Sequence, residues 1–449
     1  MNRLHQKLLT KSDSYRTWHN HPRLRPVLRH SLRRITQGFG GQARHPFWHW
    51  IVFLSVAIVS AFYLTGAISN YAFSLDFWIV PIAHAQSTAD PNALPVVKDL
   101  YAWFNSLSSK TNQKLLSSEQ IVLGGTSGWQ SKLTNIQNAD GGTPVGMIGV
   151  GYSHPACPGQ SWCSGTDGIY TIDSNAAAKY YWGFSNKRLT YMIGFFPSPV
   201  DLSATGVILG GSSDNTNASD STISQAITDN GNSYNLAWRR ILDGYVPGLQ
   251  DLQNSGIPVI FQPFNEFDGD WFWWCHSSDT TFINLWRYTF NYFTSRGIHN
   301  VLWHYSPNTD DRPGAYPGDA YVDFVGIDPF NCPSGAACGP FRGYASLTTN
   351  HPSKPFGIAG FGPSCANNLS ADASYNCYNY GDLVPTIHNS NPKVAFLNIW
   401  WVMYSLENHP KGAPTYMGDS WIINGNNLSW FNSSAYTTPP SPPTNIIVQ

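Results

Sequence analysis

Residues 260–274, IFQPFNEFDGDWFWW, place one carboxylate, Glu266, between an apolar run and an aromatic one. A carboxyl group with apolar neighbours is held towards its neutral form, so it can donate a proton near neutral pH. Asn265 beside it supplies an amide, an Asp268-Gly269-Asp270 turn follows, and Trp271, Phe272, Trp273 and Trp274 offer flat apolar faces. A proton donor above an aromatic floor suits the cleavage of a sugar bond. A strand end with a core aromatic cluster is the simpler reading of a WFWW run; the polar Asn-Glu pair inside it favours a site.

Composition narrows the partners. The chain has 449 residues, of which 14% are aromatic and 12% charged, with a formal net charge of -1. Such a balance gives no global field for nucleic acid, and abundant Trp, Tyr, Asn, Ser and Gly fit a surface that meets uncharged polyhydroxyl ligands.

The first ninety residues read as a separate region. Between positions 3 and 44 there are ten Lys or Arg and a single acid, Asp13, and an apolar run without Asp, Glu, Lys or Arg follows at 46–68. This pattern predicts a basic cytoplasmic segment (1–46), a transmembrane span or signal anchor (47–68) and a linker (69–91). Ala83-His84-Ala85 offers a cleavage site, so the remainder is expected outside the cytoplasm, either membrane-anchored or secreted after cleavage near Ala85. Cysteine usage agrees with export. Cys157 and Cys163, Cys332 and Cys338, and Cys365 and Cys377 bracket three loops and are expected to pair, leaving Cys275 free. Structural zinc would call for C-x-x-C spacing, which is absent, and neither a metal nor a cofactor is expected.

Something must bring distant segments to Glu266. Strand-like runs at 114–118, 145–150, 189–195, 258–264, 301–304, 322–327, 354–359 and 394–399 alternate with amphipathic stretches, of which 175–184, 224–255 and 279–296 are the clearest. Eight strand-helix units predict an α/β protein with a (β/α)8 TIM barrel over 92–434, its site at the C-terminal ends of the strands. A Pro-rich tail follows at 435–449. Those strand ends carry Asn265-Glu266, then Trp303-His304-Tyr305-Ser306-Pro307-Asn308, then Asp328-Pro329-Phe330, then Asn398-Ile399-Trp400-Trp401.

From about residue 114 to 401 the chain resembles glycoside hydrolase family 26, whose best-known members are retaining β-mannanases built on a barrel. The resemblance rests on PVIFQPFNEFDGDWFWW (258–274), VLWHYSPN (301–308), YPGDAYVDFVGID (316–328) and KPFGIAGFGP (354–363). It implies that Glu266 is the general acid/base, and that β-linked polysaccharide is the substrate, with β-1,4-mannan first and β-1,3-xylan and mixed-linkage glucan behind it. Asn265 stands where the family usually has His, as in other families of the same clan. A second departure bears on the reaction itself. The resemblance implies a nucleophilic Glu in the segment 359–363, and this chain has Gly360 there. Retention needs two carboxyls about 5–5.5 Å apart, and glycine supplies none.

Only two other Glu exist in the chain, Glu119 and Glu407. Glu407, in the loop after the last strand, is the better placed for an inverting reaction, although the resemblance offers no precedent for that role. Asp328 matches an Asp common in the family and reads as a structural hydrogen-bonding group. Loss of a neighbouring negative charge is expected to lower the pKa of Glu266. For the sugar rings the expected contacts are Asn265, Trp271, Trp273, Trp274, Trp303, His304, Tyr305, Asp328, Trp400 and Trp401, with Asp311 and Arg312 for hydroxyls.

Overall fold

The structure, a computed structural model, describes residues 87–107, 114–122, 128–153, 169–200, 218–308, 311–333, 341–364, 378–400, 404–408 and 411–431. The basic segment, the apolar span, the linker up to residue 86, the Pro-rich tail and Trp401 lie outside the described residues. So does at least one cysteine of each expected disulfide. Among the described residues no helix is long and apolar enough to cross a membrane.

Eight parallel strands close into a barrel. They are β1 (Leu115–Val122), β2 (Met147–Ser153), β3 (Leu189–Phe195), β4 (Val259–Gln262), β5 (Val301–Tyr305), β6 (Phe324–Ile327), β8 (Phe356–Ser364) and β9 (Val394–Ile399), and all eight expected runs are found. The sheet runs β1 to β6 in order, then β8 and β9, and β9 pairs with β1 through Leu116↔Phe396 to Glu119↔Ile399. Two short additions escaped the sequence reading: β7 (Phe330–Pro333), beside β8, and β10 (Ile422–Ile423), beside β1.

Period-two alternation divides each strand into an inward and an outward set. Inside the barrel, Leu116, Met147, Leu189, Tyr191, Ile260, Leu302, Phe324 and Phe396 form one apolar layer. Helix α1 (Pro95–Leu107) belongs to the same cluster through Val97, Leu100, Tyr101 and Phe104. It closes the N-terminal end, pinned where Asp323 accepts the amides of Ala89 and Trp303 at 2.7 Å each. Above the apolar layer the interior turns polar. Ser118 donates to Asn398, whose amide donates to Gln120 and to the carbonyl of Ala359.

The outer shell includes α2 (Trp129–Ala139), α3 (Ile169–Trp182), α4 (Asp220–Ala226), α5 (Ser233–Asn254), α6 (Asp279–Ser295), α7 (Tyr344–Asn350), α8 (Leu383–Ser390) and α9 (Ala413–Gly418). In α6, Phe282, Leu285, Trp286, Thr289, Phe290 and Phe293 recur every three or four residues and are buried, while Ser278 caps the first turn by accepting the Thr281 amide. The stretch 224–255, expected as one helix, is two. Asn232 caps the second, and the chain turns before it through Gly231 at a φ of 71°.

Candidate active site

Glu266 follows β4 at the C-terminal mouth with a φ of 51°. Among the described residues only Lys187 shares this left-handed conformation without being glycine. Such a conformation costs on the order of 1 kcal/mol and persists where the surroundings impose it. Here the Glu266 amide donates to the Ser306 carbonyl at 3.2 Å, and the Glu266 carbonyl accepts the Gly269 amide at 3.0 Å. The side chain is half-buried, with Oε2 accepting a 2.7 Å hydrogen bond from the indole Nε1 of Trp271.

Burial pushes the Glu266 carboxyl up to about 7; the Trp271 bond opposes this and the charge of Asp268 adds to it. The expected fall in pKa therefore does not leave Glu266 an ordinary carboxylate, because apolar walls and other acids do what a second Glu would have done. Asp328 is one of them. It is buried, accepts from Gln262 at 3.2 Å and from Ser306 at 2.9 Å, and is itself pushed well above the usual carboxylate range by burial and then by Glu266. Its place is to orient: Tyr191 donates to Gln262, Gln262 to Asp328, and Ser306 links Asp328 to the Glu266 backbone.

Gly360 lies on β8, towards the same end of the barrel. A Cβ there would meet the Phe330 ring at 3.5 and 3.6 Å and Trp400 at 3.6 Å, ordinary contact distances, and its φ is not left-handed. Glycine is thus not required by packing or backbone. Two residues on, the contrast is plain: a Cβ on Gly362 would lie 2.2 Å from the Phe330 ring. Position 360 would admit a Cβ at ordinary contact distances and carries none.

Two further residues belong to this wall: Phe330, which the sequence places at the sixth strand end without a role, and Tyr404, which no sequence expectation included. Phe330 stands two places after Asp328, and Tyr404 packs edge-on against it at 5.5 Å. Burial raises the Tyr404 phenol and the charge of Glu266 raises it further. Trp400, half-buried, meets Phe330 edge-on at 6.2 Å. Nothing in the pattern around Tyr404 sets it apart; the IDPF segment could have pointed to Phe330.

Several expected sugar contacts lie elsewhere. Trp273 and Trp274 are fully buried, Trp273 donating to the Phe196 carbonyl and Trp274 stacked on Phe272 at 4.6 Å and donating to the Asn265 carbonyl. Trp303 points outward into Phe261, Trp286, Phe290 and Phe293, and Tyr305 outward into Phe267, Trp286 and Tyr316. His304 points inward but is fully enclosed, bonded to Tyr191 at 2.9 Å; burial holds it neutral, down to about 3. Arg312 pairs with Asp279 at 2.6 Å and Asp311 accepts from Ser346 and Asn350, both structural ties. Glu407 meets Lys132 at 2.6 Å, and Glu119 leaves the barrel on the outward face of β1, so neither faces Glu266. Towards the C-terminal end of the strands stand Asn265, Glu266 and Trp271 after β4, Asp328 after β6, Gly360 on β8 and Trp400 after β9. The Asn265 Oδ1 is buried without a partner.

The family model described as glycosyl hydrolase family 26 matches residues 202–354. A mannan endo-1,4-β-mannosidase of Bacillus subtilis (strain 168) is 28% identical over 364 residues, covering 76% of this chain and 89% of that protein. The crystal structure of YdhT from Bacillus subtilis superimposes with a TM-score of 0.63 at 24% identity, covering 76% of this chain and 96% of the other. A β-mannanase from a symbiotic protist of the termite Reticulitermes speratus, solved with gluco-manno-oligosaccharide, gives a TM-score of 0.60 at 20% identity over 77% and 98% of the two chains. These likenesses to solved structures share the barrel fold.

Proposed function

The chain is a mannanase-like member of glycosyl hydrolase family 26, and from that premise we propose an endo-acting site for β-1,4-mannan in which the acid arm is complete and the nucleophilic arm is missing. The observation that carries this reading is the pairing of a carboxyl held near pH 7, Glu266, with an uncrowded glycine, Gly360, at the same mouth. Protonated Glu266 would give its proton to the glycosidic oxygen as the bond to the anomeric carbon breaks. Trp271 would orient that carboxyl through its indole N–H, and Trp400 would stack on a pyranose face.

A carboxylate at position 360 would attack the anomeric carbon and form a glycosyl-enzyme, which water, deprotonated by Glu266, would then release with retention. Without it, one high barrier replaces two lower ones, and turnover falls by orders of magnitude while binding stays. The absence of a carboxyl at 360 thus favours glycan binding with slow hydrolysis. The same proposal includes anchoring or export through residues 1–68 and local disulfides in the loops, both on sequence grounds.

The test is calorimetric titration with β-1,4-linked mannohexaose, followed by product analysis. Binding with slow cleavage, accelerated by azide with a glycosyl azide of inverted configuration, supports the proposal. Absence of binding, or rapid cleavage by the unmodified chain, refutes it.

A further inference from the structure

We infer that Glu119 is a positioning residue for the mouth, holding the loop 404–408, and with it the Tyr404 ring, against the wall of position 360. This rests on the reading of that mouth as a mannan site. On β1 the inward residues are Leu116, Ser118 and Gln120, so Glu119 leaves the barrel between them and is fully buried outside it. Its Oε2 accepts the Leu406 amide at 3.3 Å. The ammonium of Lys132, on α2, lies 3.8 Å from its Oε1 and 2.6 Å from Glu407. One carboxyl and one ammonium therefore tie consecutive residues of the loop, Leu406 and Glu407, to β1 and α2. Two residues before Leu406 stands Tyr404, whose ring meets Phe330 and whose carbonyl accepts the Tyr380 phenol.

The surroundings give this tie a pH dependence. The groups facing Glu119 are Lys132 from α2, Asp140 just after α2, Tyr416 from α9, and Ser405, the Leu406 amide and Glu407 from the loop. Lys132 is the cation among them. Glu119 Oε1, both oxygens of Asp140 and the Tyr416 hydroxyl are buried without a hydrogen-bond partner. Unsolvated acids so placed keep their protons: burial pushes Glu119 up to about 8 and Asp140 up to about 9. Opening the loop to water would return Glu119 towards its ordinary 4.5. The closed loop is then fully favoured below that value, loses ground as pH rises to about 8, and changes no further through this group above it.

Glutamine is the neutral acid's near-isostere: it offers the same oxygen to Leu406 and has no proton to lose. The experiment follows hydrogen exchange at the Leu406 amide, corrected for intrinsic rate, and mannohexaose affinity, from pH 5.5 to 9, in the unmodified protein, Glu119→Gln and Glu119→Ala. In the unmodified protein protection and affinity should fall together up to pH 8 and then level. Glu119→Gln should already be about tenfold better protected than it at pH 5.5, one pH unit above 4.5, and show no fall to pH 8. Glu119→Ala should lose protection at every pH and bind roughly tenfold more weakly, the worth of one buried hydrogen bond. A flat profile in the unmodified protein, a Gln variant with the same slope, or protection that changes without affinity would overturn the inference. No sugar binding by any form, with the Leu406 pattern intact, would overturn the mannan reading instead.

Discussion

The indole Nε1 of Trp271 donates to Oε2 of Glu266 at 2.7 Å, five residues along the same turn. This bond favours the charged carboxylate and so opposes burial, which holds the group near 7. Trp271→Phe keeps an apolar ring and removes the donor. The Glu266 midpoint should rise, as read from the side-chain carboxyl carbon by NMR titration. A midpoint that stays or falls would mean that the indole does not set this acid.

Trp303, in the middle of β5, and Trp400, just after β9, should fail in opposite ways. Trp303 is core, so Trp303→Ala should cost about 3–5 kcal/mol of stability, the usual range for such truncations, with affinity for mannohexaose unchanged in the folded fraction. Trp400→Ala should leave the denaturation midpoint close to that of the parent and weaken binding. Denaturant melts paired with calorimetry distinguish the two; a stable Trp303→Ala protein that no longer binds sugar would reverse the assignment.

Buried acids set the direction of the stability profile. Burial raises Glu119 to about 8, Asp140 to about 9, Glu266 to about 7 and Asp323 to about 6. Each keeps a proton in the folded state that the unfolded chain releases near pH 4, so each stabilises fully at low pH and less as pH rises through its folded value. His304, lowered to about 3, acts oppositely, but only below its ordinary 6.5. Above pH 6.5 these acids outnumber Lys354, which burial lowers and which acts oppositely, and Tm should fall from there to pH 9. Asp140→Asn should flatten the upper part of that fall. A Tm that climbs over this interval would show that these acids are solvated.

The eight strands were legible because apolar runs of four to seven residues between turn residues have few other uses in a chain of this composition. The site was legible only in part, and the fifth strand shows why. Trp303, His304 and Tyr305 are consecutive, and a strand sends neighbours to opposite faces, so the three could not line one mouth together. Two went out to the helices and one went in. Trp274 illustrates a different limit: in a run of four aromatics, the sequence does not say which ring is core. The left-handed backbone at Glu266, the approach of Tyr404 and the tie of Glu407 to Lys132 depend on tertiary neighbours far away in the chain, and no local pattern announces them.

The central claim is that one missing carboxylate separates this chain from a working retaining glycosidase. Its most direct test is Gly360→Glu, assayed on β-1,4-mannan with the anomeric configuration of the first product followed by proton NMR. Because a Cβ at 360 meets Phe330 and Trp400 at ordinary distances, the variant should fold as the parent does. It should hydrolyse faster by on the order of a thousandfold or more, and its first product should be the β-anomer. A folded Gly360→Glu protein no faster than its parent, or one releasing the α-anomer first, would contradict the account.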